Sequence, residues 1–207
     1  MNSLKNNLTV ALPIHGMNSP TAGANSIDLL AKGLDVDFVD CDDADYDMTL
    51  LLKIWFFKRP SIERIAGGLK KWIDDERIRT IVVPVHSNGL NFGLQALKLL
   101  KKRNHLGTKR IIIVSFSGCA NRRVNTDNAT HVHNWYTERD GWLLFAKFLP
   151  SWTMGSFGRS YYRGKSKNVT DKRITNHIGS HSKWFNGESL ERSILKTNEL
   201  IQRYKIS

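Results

Sequence analysis

The chain has 207 residues, 41% hydrophobic and 24% charged, a balance that excludes wholesale disorder and suffices for one domain with a substantial core. Its 31 Lys and Arg against 19 Asp and Glu give a formal charge of +12 and a pI near 9.9, which favours anionic partners: nucleic acid, an anionic membrane face or a negatively charged substrate. Two cysteines, Cys41 and Cys119, exclude a disulfide framework or a cysteine metal cluster; both read as reduced, partly buried thiols.

From the N-terminus, the apolar run Leu8–Ile14 predicts a buried strand ending at His15-Gly16. It is too short for a signal peptide and lacks a small-residue cleavage site. No run approaches the roughly 18 apolar residues that span a bilayer, so the chain reads as soluble and cytoplasmic. Thr21–Lys32 carries Ile27, Leu29 and Leu30 at helical spacing, and Val36–Val39 alternates with Asp35, Asp37 and Asp40 as a short strand. Met48–Phe57 is apolar nearly all round, which fits a buried helix or a flap over a site. Ser61 before Glu63 marks a helix start, with Ile62, Ile65, Leu69, Trp72 and Ile73 as its apolar stripe. Ile81–Val85 is the third strand, and Leu90–Leu100 its following helix. Ile111–Phe116 is a further buried run. Thr130–Thr137 and Asn168–Thr175 predict two more strands, the last one weaker in pattern. Glu188–Arg203 closes the chain as an amphipathic helix.

Strands alternate with helices, and several strands are apolar on both faces. Together these predict the α/β class: a compact single domain over 1–207, with a mostly parallel central sheet and helices on both faces. Segments 46–60 and 151–167 interrupt the alternation and are expected as lid segments. In such sheets ligands bind beyond the carboxyl ends of the strands, where His15-Gly16, Ser87 and the loop after Thr137 converge.

The transition around Ser87 carries most of the functional information. A β-branched strand meets Val85-His86-Ser87-Asn88-Gly89 and passes directly into a helical pattern. That order describes a strand–turn–helix elbow, with a serine hydroxyl beside free backbone N–H groups of a helix N-terminus. Taken alone, Ser87 fits equally well as a cap for a helix starting at Asn88. A catalytic serine also demands a histidine base and a carboxylate elsewhere.

The ordered set resembles a small lipase/esterase-like member of the α/β-hydrolase family, over about residues 8–205. The pieces are His15-Gly16-Met17-Asn18, the elbow, Glu138-Arg139-Asp140-Gly141, and His177-Ile178-Gly179-Ser180-His181-Ser182. The family's order is serine, acid, histidine. Val85 stands where the family has glycine, and Pro84 removes a ladder donor from the strand. The resemblance implies Ser87 as nucleophile, His181 as base with His177 in reserve, and Asp140 as the orienting acid ahead of Glu138 and Asp127. It implies the N–H groups of Asn88 and Met17 as oxyanion donors. His15 reads as structural beneath the loop, although it, Trp55 and His86 border the expected substrate site.

The expected activity is hydrolysis of a carboxylic ester, or of a thioester or amide, through an acyl-enzyme. Met48–Phe57 would suit an acyl chain, and the basic 159–173 region an anionic head group. An acyltransferase would use the same triad. The alternative of another class is a non-catalytic protein of the same fold that binds nucleic acid or an acidic partner through its basic surface. Charge alone does not imply specific nucleic-acid binding, which is not expected. His131 and His133 share one face of a strand, but no carboxylate or cysteine supports a metal site at their spacing. Gly67-Gly68 in a helical pattern is no phosphate-binding signature. No metal or cofactor is expected.

Overall fold

The computed structural model describes residues 7–16, 27–41, 51–138, 140–141, 143, 159, 161–174 and 183–206, and only the backbone of 51–59 and 206. Six strands, β1 (Leu8–Ala11), β2 (Phe38–Val39), β3 (Ile78–His86), β4 (Arg110–Phe116), β5 (His131–Tyr136) and β6 (Val169–Arg173), form one sheet. Its order is β2-β1-β3-β4-β5-β6 and every pair is parallel. Among the described residues it is accompanied by helices α1 (Ile27–Lys32), α2 (Leu51–Asp74), α3 (Gly89–Lys102) and α4 (Gly187–Ile206), with a 3-10 turn at Lys183–Phe185. The expected α/β class is what the chain adopts.

The continuous apolar runs become central strands because both faces of the sheet are covered. In β3 the side chains alternate. Ile81, Val83 and Val85 enter the core shared with α2 and α3, while Val82 joins the core beneath α1, the 3-10 turn and α4. On α2, Ile62, Ile65, Ala66, Leu69 and Ile73 are buried at the spacing of one helical face. Each of the isoleucine and leucine side chains contributes roughly 1.5–3 kcal/mol by leaving water.

Strand ends move by one to three residues, β3 running Ile78–His86 where Ile81–Val85 was expected, and the changes in β1 and α2 have a local reason. The run Leu8–Ile14 is regular strand only through Ala11, then meets β3 again as an isolated bridge between Ile14 and Val85. Leu12 N–H donates to Val82 O and Ile14 N–H to Pro84 O, but Pro84 has no N–H to return to the Leu12 carbonyl. The helix start at Ser61 does not hold either. α2 runs through it from Leu51, with Pro60 in its interior. The buried stripe beyond Pro60 anchors the helix, so one missing donor does not end it. Among the described residues, no helix is long and apolar enough to cross a membrane.

Candidate active site

The chain leaves β1 toward β2, returns to β3 on the other side of β1, and then runs outward through β4, β5 and β6. The carboxyl ends of β1 and β3 therefore form a topological switch point, the place where open parallel sheets bind ligands. His15-Gly16 follows β1, and Ser87-Asn88-Gly89 follows β3. The two turns are in close contact. A Cβ on Gly16 would stand 2.7 Å from Ser87 Cβ and 3.0 Å from His86 Nδ1. One on Gly89 would stand 2.5 Å from Ile14 O and 2.7 Å from His15 O. Only glycine lets the backbones approach this far.

Ser87 has φ of +52°, a left-handed conformation that costs a residue with a Cβ of order 1–2 kcal/mol. Backbone hydrogen bonds hold it there. Its N–H donates to Phe116 O at 3.3 Å, and its carbonyl accepts from Cys119 N–H at 2.6 Å and Leu90 N–H at 3.3 Å. α3 begins at Gly89 with Asn88 as its cap residue, and no side chain caps it. Among the described residues Ser87 Oγ makes no hydrogen bond, so Ser87 does not serve as the helix cap. Val85, the departure from glycine, is fully buried, and Gly93 on α3 lies against it and Ile14, leaving room for the extra side chain.

The adjacent strand ends in a second left-handed serine, Ser117, at φ +49°. Its Oγ accepts from Trp184 Nε1–H at 2.7 Å. Phe116 meets Trp184 and Phe185 edge-on, and His86 meets Phe185 in the same way at 5.1 Å. These contacts fasten the 3-10 turn over the carboxyl ends of β3 and β4.

Asp140 follows β5 and is 1% exposed. Its N–H donates to Thr137 O at 3.3 Å, and its Oδ1 accepts from Leu143 N–H at 3.2 Å. The carboxylate thus sits at the start of a helical segment opened by Gly141, where the backbone favours negative charge. His15 is 3% exposed and its Nε2 pairs with Asp28 Oδ1 on α1 at 2.8 Å, as a residue that fixes the loop would. Met17, His177, His181 and the side chain of Trp55 lie outside the described residues, as do parts of 46–60 and 151–167. Within the latter, Tyr162 Oη–H donates to Val124 O and Arg163 N–H to Arg122 O, both at 2.8 Å.

Two features were not singled out from the sequence. The Asn88 side chain is fully buried, and among the described residues neither its Nδ2 nor its Oδ1 has a hydrogen-bond partner. Sequence reasoning used only its backbone N–H. The second is the Ser117-Gly118-Cys119 turn that supports Ser87; its signal was the small-residue run after the apolar strand Ile111–Phe116. His131 and His133 do share a face, with rings 4.6 Å apart. His131 Nε2 bonds Thr170 Oγ1 at 2.8 Å and His133 Nε2 bonds Tyr204 Oη at 3.1 Å. Burial pushes the His131 imidazole down, and it lowers His133 to about 4, helped by the positive charges of His131, Arg203 and Lys172. Among the described residues, no group of three His, Cys, Asp or Glu side chains is arranged to hold a metal.

No protein-family model matches the chain, and no curated protein is significantly similar to it.

Proposed function

We propose that the chain is a serine hydrolase acting on a carboxylic ester, with Ser87 as nucleophile, His181 as base and Asp140 as the acid that orients it. The observation carrying this reading is Ser87 itself: a strained, uncapped serine on a strand-to-helix turn at the switch point of a parallel sheet. Strain of this kind persists only where surrounding structure enforces it, and it gathers at functional sites.

The remaining pieces lend support by their order. Gly16 touches Ser87, and Met17 follows it in the chain. Asp140 is a buried carboxylate beyond β5. His181 precedes by two residues the turn Lys183–Phe185, which is anchored on His86 and Ser117, and two residues of chain span at most about 7 Å.

In the proposed reaction Ser87 Oγ attacks the carbonyl carbon while His181 accepts the hydroxyl proton. The Asn88 and Met17 N–H groups hold the oxyanion of the tetrahedral intermediate. His181 then gives its proton to the departing alcohol, leaving an acyl-enzyme. Water attacks the acyl carbon as His181 takes its proton, and collapse releases the acid and restores Ser87. Asp140 holds the imidazole in one tautomer and stabilises its charged form. The apolar Met48–Phe57 segment accepts the acyl chain, and the basic 159–173 region an anionic head group.

A panel of p-nitrophenyl esters of increasing chain length tests this. Turnover that rises with chain length and disappears in Ser87→Ala supports the proposal. Turnover unchanged in Ser87→Ala, or none by the wild type, removes it.

A further inference from the structure

A second site lies on the face of β5 and β6 beneath α4, away from the switch point. The register sets His133 beside Thr170 and Trp135 beside Lys172. Alternation puts His131, His133, Trp135, Thr170 and Lys172 on the face that α4 covers. On α4, Lys196, Glu199, Leu200 and Arg203 recur at helical spacing toward the same face. Between strands and helix is a groove of about 520 Å³, lined by His131, His133, Lys172, Lys196, Arg203 and Tyr204 among others. That volume suits a small ligand.

The charge in this groove is unbalanced. Among the described residues, Lys172, Lys196 and Arg203 form no ion pair. The Lys172 ammonium instead lies 5.7 Å from the centroid of the Trp135 ring. Two carboxylates reach the groove, Asp171 and Glu199. Asp171 is already occupied, accepting from Asn134 Nδ2–H and Tyr162 N–H. Three cations repel one another with, among the described residues, only the Glu199 carboxylate uncommitted to offset them, and an incoming anion relieves that repulsion. The fall in the His133 pKa, to which Lys172 and Arg203 contribute, reports the same positive field.

We infer that the β5–β6–α4 groove binds phosphate groups, with Lys172, Lys196 and Arg203 supplying the charge. The imidazoles of His131 and His133 and the Tyr204 ring, packed together with centroids 4.6 to 6.0 Å apart, form an aromatic wall beside them. A phosphate ester carrying a planar ring matches both halves, and such a group arrives either as a free mononucleotide or as part of a single-stranded nucleic acid. The inference does not depend on the catalytic reading of Ser87.

Isothermal titration calorimetry of the full chain at low salt with AMP, and separately with a single-stranded oligonucleotide, tests it. The expected result is saturable binding of at least one probe, weakened roughly tenfold or more in the double variant Lys172→Gln, Arg203→Gln. Glu199→Gln, which keeps every cation, should tighten the same binding. Tight oligonucleotide binding with a steep salt dependence identifies the nucleic-acid backbone as the source, and binding of AMP alone identifies a free phosphate ester. Binding of neither probe, or equal affinity in wild type and double variant, overturns the inference.

Discussion

The left-handed backbone of Ser87 makes a prediction whose sign is unusual. At most positions glycine is less stable than alanine by about 0.5–1 kcal/mol, because it loses more freedom on folding. At φ +52° the order should reverse. A residue with a Cβ carries a cost of roughly 1–2 kcal/mol there that glycine does not. Subtracting glycine's unfolded-state disadvantage leaves Ser87→Gly more stable than Ser87→Ala by up to about 1.5 kcal/mol, centred on about 0.75 kcal/mol. In a chain of this length that is roughly 2–4 °C in midpoint per kcal/mol. Urea denaturation of the two variants, which differ by one methyl group, measures the difference directly. Both lack the hydroxyl, so any activity that depends on it is absent from both and does not confuse the comparison. Ser87→Ala clearly more stable than Ser87→Gly, the order found at ordinary positions, would refute the strained elbow.

Other consequences follow from the same geometry. Gly89→Ala should destabilise by about 2–4 kcal/mol in denaturant melts, because its Cβ meets the backbone carbonyls of Ile14 and His15, which cannot step aside. Gly67→Ala, inside α2 with nothing within 4 Å of the new methyl, should instead stabilise by about 0.5–1 kcal/mol. Asp140→Asn keeps an acceptor for Leu143 N–H, so melting should change little, while ester turnover should fall by roughly a thousandfold or more; unchanged turnover would leave Asp140 as a helix cap alone. His133, facing His131, Tyr204, Arg203 and Lys172, adds a pH dependence. Its folded value is lowered to about 4, so between that pH and its ordinary value of about 6.5 the unfolded chain binds the extra proton. Stability should therefore fall as pH drops through this window, by roughly 3 kcal/mol, and His133→Gln should flatten that part of the profile.

How much of this was legible in the sequence depends on how local each feature is. Runs such as Ile81–Val85 and Ile111–Phe116 are apolar on both faces, and only a covered parallel sheet uses strands of that kind. They announced the fold class. Pro84 was visible as a missing donor, but its effect falls on Leu12 and depends on the β1–β3 register. Ser61 before Glu63 read as a helix start, whereas packing of Ile62 to Ile73 carries α2 through Pro60 from Leu51. The candidate site was half legible. Ser87 could be found from its place between strand and helix, but its φ, its freedom from capping and the approach of Gly16 arise only when β1 and β3 are neighbours. The burial of Asn88 has the same origin, and the partnership of His15 with Asp28 depends on where α1 packs. The cationic groove was illegible because its two walls lie far apart in the chain.

The central claim is that Ser87 is an activated nucleophile. A fluorophosphonate probe reacts with such a serine and not with an ordinary hydroxyl, and intact mass followed by peptide mapping locates the adduct. One adduct per chain is expected, on Ser87, absent from Ser87→Ala while Ser87→Ala remains folded. A folded wild type that stays unlabelled, or a Ser87→Ala protein that labels as fast as the wild type, would contradict it.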